Sequence, residues 1–203
     1  MRHPERRGRR ANAAGPTTTR LTGGSARGRV IRSAGGRDLR PTSEKVRSAI
    51  FSILGTDLVA GAAVLDLYAG TGALGIEALS RAAESAVFVE ASEVLCRSLR
   101  NSLEELGMTD QARVVRANAE NILDHDGDIF SLVFLDPPYR IDPWDGLLGR
   151  MGSGESLADG AVIVAEHYYK RELAPEYGGL IRTTERRYGD TTISIFDFGG
   201  AIA

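Results

Sequence analysis

The chain has 203 residues, a single cysteine and a formal net charge of −2. This length suits one α/β domain with an appendage, while a single cysteine excludes a disulfide framework within the chain and favours a reducing compartment. No apolar run is long enough to span a membrane, and the arginine-rich segment 1–20 lacks the apolar core of a signal peptide, so we expect a cytoplasmic protein.

The charge is distributed unevenly, with a net +10 in residues 1–50 and −12 in the remainder. A basic arm on an acidic body is typical of a protein that binds a polyanion. Segment 1–19 has no hydrophobic periodicity, so we predict a disordered tail. Segment 20–41 is predicted to form a β-hairpin extension that can swing toward a ligand site. The candidate contacts with the polyanion are Arg20, Arg27, Arg29, Arg32, Arg37, Arg40 and Thr42.

A domain is predicted over residues 42–203, and it begins with a helix after Pro41. Thr42 is its expected N-cap, and the negative charge of Glu44 in the first turn interacts favourably with the helix dipole. The apolar stripe of this helix consists of Val46, Ala49, Ile50, Ile53 and Leu54. Arg47 lies off that stripe, so we expect it to face outward.

The next segment combines a buried strand at 64–67, a glycine turn and a helix at 73–82. The turn, Gly70 to Gly75, fits the dinucleotide pattern G-x-G-x-x-G. Glu90 ends a second predicted strand about twenty residues later, where an acid that binds ribose is expected. An NAD site therefore fits. S-adenosylmethionine (SAM) fits as well, because Asp66 suits its ammonium group and would repel a pyrophosphate.

The middle of the chain predicts a helix at 92–106, stopped by Gly107, and a third strand at 112–117. Cys96 lies among apolar residues of that helix, so core packing is its expected role. The three histidines show no metal-ligand spacing with Cys96, and we assign no metal.

A fourth predicted strand, 129–136, runs into Asp136-Pro137-Pro138-Tyr139. The prolines end the strand and fix the backbone after it. This places a carboxylate, a carbonyl oxygen and a ring at the carboxyl end of a strand, where open α/β sheets bind ligands. A planar amine needs such a set, two acceptors for its protons and a ring to stack on.

The remaining elements are a helix at 143–151, a fifth strand at 161–166 and a terminal hairpin of 180–187 with 191–198. The fold class predicted from this order is α/β and Rossmann-like. Its seven-stranded sheet is mostly parallel, with an antiparallel C-terminal hairpin and the basic N-terminal β-hairpin as an extension.

Four segments together resemble the bacterial 16S rRNA guanine-N2 methyltransferases. They are Arg27-Gly28-Arg29, Arg40-Pro41-Thr42, the stretch from Asp66 to Arg81, and Asp136-Pro137-Pro138-Tyr139. The resemblance runs from about Arg20 to the C-terminus. It implies a class I methyltransferase with SAM as cofactor and 16S rRNA as partner, free or within a small-subunit particle. We expect a monomer.

The resemblance also implies roles for single residues. The cofactor-binding residues would be Asp66, Tyr68, Gly70, Gly72, Glu90, Asn118 and Ala119. Asp136, Pro137 and Tyr139 would be catalytic. Asn118 stands where the family usually has an acid, and its amide oxygen can accept the same hydrogen bond.

Three alternatives stay open. An adenine-N6 DNA methyltransferase shares the Asp-Pro-Pro-Tyr motif, although no separate target-recognition domain is visible to read a duplex. An NAD-dependent oxidoreductase fits the glycine turn. A non-catalytic RNA-binding module fits the basic arm but has no need of Asp136.

Overall fold

A computed structural model describes residues 17–33, 42–122, 127–154 and 156–199. Its strands are β1 (Thr17–Arg20), β2 (Val30–Ser33), β3 (Ala63–Leu67), β4 (Ser85–Glu90), β5 (Ala112–Arg116), β6 (Phe130–Leu135), β7 (Leu157–Tyr168), β8 (Glu176–Tyr177), β9 (Leu180–Tyr188) and β10 (Thr191–Phe198). Its helices are α1 (Glu44–Leu54), α2 (Ala73–Ser80), α3 (Glu93–Leu106), α4 (Ala119–Ile122) and α5 (Trp144–Met151), with a 3₁₀ turn at Thr109–Gln111.

The main sheet has the strand order β5-β4-β3-β6-β7-β10-β9-β8. The first five strands of that order are parallel, and the last three are antiparallel to their neighbours. The α/β fold with its C-terminal hairpin is confirmed. The sheet has one strand more than the seven predicted, because the two residues of β8 pair with the start of β9. So short a strand has no alternation to reveal it.

Both faces of the central strands β3, β4 and β6 are buried, as expected of parallel strands. Val64 belongs to an apolar cluster shared with α1, α2, α3 and the N-terminal hairpin. Its neighbour Leu65 belongs to the cluster on the other face, which is shared with α5. Because side chains alternate along a strand, this split places Asp66 on the face covered by α2.

Two expectations for α1 are wrong. Its N-cap is Ser43, whose side chain accepts a hydrogen bond from the Val46 amide, because the Thr42 hydroxyl instead donates to Asp136. Arg47 is fully buried, since its guanidinium pairs with the buried carboxylate of Glu77 at 2.6 Å. The side of α1 that carries Arg47 therefore packs against α2.

The N-terminal hairpin forms, with Arg20 opposite Val30, and β1 begins at Thr17, inside the segment assigned to the tail. Its connection is fixed to α2, because the Ser80 side chain bonds the Gly23 carbonyl and the Ala26 amide. Apolar side chains of the hairpin also join the core. The expected swing toward the site is therefore wrong for the described part of the hairpin.

Candidate active site

The carboxyl ends of β3, β4, β5 and β6 open onto a cavity of about 840 Å³, a size usual for small-ligand sites. β3 has β4 on one side and β6 on the other, so the cavity lies where the strand order reverses, as in other open α/β sheets. The predicted site residues that line it are Thr42, Asp66, Tyr68, Gly70, Glu90, Asn118, Ala119, Asp136, Pro137 and Tyr139.

The glycine turn follows β3, and Tyr68 and Gly70 in it have φ angles of 58° and 54°. A tyrosine in this left-handed region is strained, and such strain is common at ligand sites. Gly72 does not line the cavity. A Cβ on Gly72 would lie 2.3 Å from Leu99 Cδ1, and its φ is 75°, so this glycine is needed for packing and for its positive φ.

Asp66 lies beneath this turn and is almost completely buried. Its Oδ2 accepts a hydrogen bond from the Gly75 amide at 2.9 Å, which connects the end of β3 to α2. Burial, with a smaller contribution from the charges of Asp136 and Glu90, raises the pKa of Asp66 to about 8 and outweighs the lowering effect of that hydrogen bond. A cation bound nearby would stabilise the carboxylate.

Glu90 ends β4 and holds the turn from the other side. Its two carboxylate oxygens accept hydrogen bonds from the amides of Gly70 at 3.0 Å and Ser92 at 2.8 Å. Each oxygen can accept a further bond, so the fixed carboxylate can take two hydroxyl groups of a ligand.

The next strand end supplies Asn118, Ala119 and Glu120 to the cavity. The Tyr68 hydroxyl donates to Glu120 Oε1 at 2.8 Å, and burial raises the pKa of Tyr68. Glu120 was not among the site residues predicted from the sequence.

The lining is strongly acidic. It contains one basic side chain, Arg140, and five acidic side chains, Asp66, Glu90, Glu120, Asp136 and Glu166. Such a charge balance attracts a cationic ligand and repels a pyrophosphate, which disfavours the NAD alternative. Sequence reasoning also missed Glu166, although it ends the predicted fifth strand, and an acid at a strand end had identified Asp136.

The other end of the cavity is formed by the segment after β6. The Thr42 hydroxyl donates to Asp136 Oδ2 at 2.8 Å. The Tyr139 hydroxyl and Thr191 Oγ1 lie 2.6 Å apart, and the Tyr139 ring packs 5.5 Å from that of Tyr168. The ring of Tyr139 is thus fixed at one edge while 40% of the residue stays exposed.

The hairpin arginines lie outside the cavity. Arg20, Arg27, Arg29 and Arg32 are exposed, and the Arg29 guanidinium reaches the Glu105 carbonyl of α3. Arg37 and Arg40 lie outside the described residues.

Cys96 is buried in α3, with its sulfur 3.2 Å from the Glu90 carbonyl oxygen, and burial raises the pKa of its thiol. It has the expected packing role. Within the described ranges, no three His, Cys, Asp or Glu side chains form a metal-binding group, and no helix is long and apolar enough to cross a membrane.

This chain resembles Escherichia coli proteins in both sequence and structure. The chain is 35% identical over 158 residues to the Escherichia coli ribosomal RNA small subunit methyltransferase D, covering 78% of this chain and 79% of that protein. The structure of an E. coli methyltransferase, yhhF, superposes with a TM-score of 0.79 at 30% identity, covering 91% of this chain and 100% of its own.

A Thermus thermophilus 16S rRNA N2 methyltransferase, solved with AdoMet and guanosine, is 18% identical with a TM-score of 0.71. That match covers 90% of this chain and 50% of its own and shows the fold alone. Residues 19–197 match the family described as conserved hypothetical protein 95. The chain therefore belongs to this family and is a class I methyltransferase, as the resemblance in its sequence predicted.

Proposed function

We propose that this protein transfers a methyl group from SAM to the exocyclic N2 amine of a guanine in 16S rRNA. The E. coli relative is named as a ribosomal RNA small subunit methyltransferase, which supports the enzyme class and the RNA. The observation that carries the chemistry is that Asp136 lines the same cavity as the glycine turn, so an amine and a cofactor would meet there. We propose a cytoplasmic monomer.

The chemistry of the lining fits SAM, which has a sulfonium and an ammonium group and supplies an electrophilic methyl when bound. Asp66 and Gly70 would hold its methionine part. Glu90 would accept hydrogen bonds from both ribose hydroxyls, and Asn118 and Ala119 would contact the adenine edge.

Asp136 and Tyr139 prepare the acceptor. The lone pair of a guanine amine is delocalised into the base, so it needs help to become nucleophilic. The Asp136 carboxylate and the Pro137 carbonyl would accept hydrogen bonds from its two N–H groups and localise that lone pair. Tyr139 would stack on the base, which must be single-stranded or flipped out of its helix to enter. These residues require no covalent intermediate.

The test is tritiated methyl transfer from SAM into unmethylated 16S rRNA, both free and in small-subunit particles, followed by nucleoside analysis. N2-methylguanosine is the expected product. N6-methyladenosine would replace our proposal with the adenine alternative, and labelling in one arm only would identify the form of RNA that is the substrate.

Glu90→Ala is expected to weaken SAM binding by about 30- to 150-fold, the equivalent of losing two hydrogen bonds to a charged group, on the order of 2–3 kcal/mol. Calorimetry with SAM measures this. Glu93→Ala is the matched control, because Glu93 is an exposed acid of α3 outside the cavity. Equal SAM affinity in Glu90→Ala and wild type would contradict the assignment.

SAM binding at pH 7 is expected to release up to about one proton from Asp66. The pKa of about 8 keeps this carboxyl largely protonated at pH 7, and a bound cation lowers that pKa. SAM affinity should therefore rise between pH 6 and 8. Calorimetry in two buffers of different ionisation enthalpy counts the protons, and Asp66→Asn should abolish the release. No release by the wild-type protein would refute this coupling.

Replacing the hairpin residues Arg20, Arg27, Arg29 and Arg32 together by alanine is expected to weaken RNA binding and leave SAM affinity unchanged. Each lost phosphate contact should flatten the dependence of log affinity on log salt by about 0.7–0.9. RNA titrations at several salt concentrations measure this slope. A control variant loses the same charge from other exposed positions, Arg97, Arg100, Arg113 and Arg116. Equal slopes in the two variants would argue against docking by the hairpin.

A further inference from the structure

Three tyrosines and an arginine form a continuous row that leads away from the cavity. Tyr139 lies at its inner end, 5.5 Å from the ring of Tyr168. The ring of Tyr168 is 4.8 Å from that of Tyr169 in an edge-on arrangement. Arg187 ends the row, with its guanidinium carbon 3.7 Å from the centre of the Tyr169 ring. We call these four residues the aromatic row.

The backbone holds the row in place. Tyr168 is the last residue of β7, and the Tyr169 amide donates to the Asp190 carbonyl at 3.0 Å in the turn between β9 and β10. In the same turn, Arg187 Nε donates to the Gly189 carbonyl at 2.8 Å. The rings and the guanidinium are therefore presented on a formed surface before any ligand binds.

The positive charge of the row is not neutralised by neighbouring acids. Arg171, close by, pairs with both Asp142 and Asp145. In the described part of the chain, by contrast, Arg187 and the adjacent Lys170 make ring contacts with Tyr169 and no ion pair with an acid. Both cations are exposed.

The position of these cations, outside the acidic cavity, matters for the approach of RNA. The acidic lining of the cavity repels phosphate, so RNA that delivers a base to Asp136 needs cations beyond the cavity. Partly exposed rings such as Tyr168 and Tyr169, when they lie beside cations, are also a usual surface for single-stranded nucleic acid, whose bases stack on rings and on arginine.

We propose that Tyr168, Tyr169 and Arg187 bind the nucleotides next to the target base in single-stranded RNA. The rings and the guanidinium plane stack on neighbouring bases, and the charge of Arg187 attracts the phosphate between them. This inference rests on the proposed function and extends it from the target base to its sequence neighbours.

The test is a double-mutant cycle between protein and RNA. The probe is a labelled RNA nonamer of adenosines with a central guanosine. Two further RNAs each carry one abasic site, the first on the 5′ side of that guanosine and the second on the 3′ side. Dissociation constants come from fluorescence anisotropy with saturating S-adenosylhomocysteine. The variants are Tyr169→Ala, Tyr169→Phe and Arg187→Ala. Arg113→Ala, an exposed arginine on β5 at the far edge of the sheet, is the control.

Tyr169→Ala and Arg187→Ala should each weaken binding of the intact RNA by about tenfold, the effect of one lost stacked base. Tyr169→Phe keeps the ring and should bind like wild type, as should Arg113→Ala. With one of the two abasic RNAs, the loss in Tyr169→Ala should disappear, because the stacking base is absent.

Wild-type affinity in both alanine variants would overturn the inference, and so would a loss that persists with both abasic RNAs. Neither result would affect the proposed function, provided that the wild-type protein transfers a methyl group to RNA. Either result would leave the aromatic row to a protein partner. If the wild-type protein transfers no methyl group to RNA, the proposed function fails and this inference fails with it. Melting curves and SAM affinity exclude a folding defect in Tyr169→Ala, and exposed Arg187 provides an independent variant.

Discussion

Asp136→Asn is expected to slow methyl transfer by about 10²–10³, the effect of losing one charge-assisted hydrogen bond from a transition state. Asparagine keeps the shape of the side chain and can still accept the hydrogen bond from Thr42, which lies 2.8 Å away in the wild type. It is neutral and offers one acceptor oxygen where the carboxylate offers two. Single-turnover transfer at saturating SAM and RNA measures the chemical step.

A purely structural role for Asp136 makes a different prediction. Asparagine caps a turn nearly as well as aspartate, so turnover would then stay at the wild-type level. A collapse in stability that accounts for the lost activity would also support the structural role, and a melting curve detects it. Asp142→Asn is the matched control, because it removes a carboxylate from the same loop outside the cavity, where Asp142 pairs with Arg171.

Arg47→Met is expected to destabilise the protein by about 3 kcal/mol, the lower end of the usual cost of removing one partner of a buried ion pair, because Glu77 keeps its ion pair with Arg81. Arg47 and Glu77 are both completely buried, and Arg47 also donates to the carbonyl oxygens of Thr42 and Arg20. Methionine fills a similar volume but cannot make these bonds. For a chain of this size the melting temperature should fall by about 6–12 °C.

Arg97→Met is the control for that substitution. Arg97 is also a helix arginine paired with a glutamate, Glu93, but the two side chains are 71% and 58% exposed. Exposed pairs of this kind contribute at most about 0.5 kcal/mol. Denaturant titration of both variants gives the comparison, and similar losses in the two would mean that the buried pair does not hold α1 to α2.

Much of the candidate site could be predicted because parallel strands end at the same edge of a sheet. Asp66, Glu90 and Asp136 lie at or beside the ends of their predicted strands, and all three line one cavity. The same rule applied to Glu166 would have added it. The order of the strands along the chain, including the C-terminal hairpin, could also be predicted from apolar runs and glycine turns.

The environments of Arg47, Thr42 and Gly72 could not be predicted because they come from distant residues. Helical periodicity treats a charged side chain as exposed, yet Arg47 is buried by Glu77, thirty positions away. Thr42 has the chemistry of an N-cap, but its hydroxyl is taken by Asp136 across the domain. Gly72 matches a ligand-binding pattern, whereas contact with Leu99 explains its lack of a side chain.

The position of β10 between β7 and β9 constrains how the enzyme matures during translation. β9 leaves the ribosome before β10, yet in the finished sheet it joins β7 only through β10. The first residue of β10, Thr191, also holds the Tyr139 hydroxyl. A nascent chain can therefore form its glycine turn well before it can fix the ring of Tyr139 in position. Because late pairing between distant strands is slow, competence for the cofactor should precede competence for the acceptor base as each copy is made.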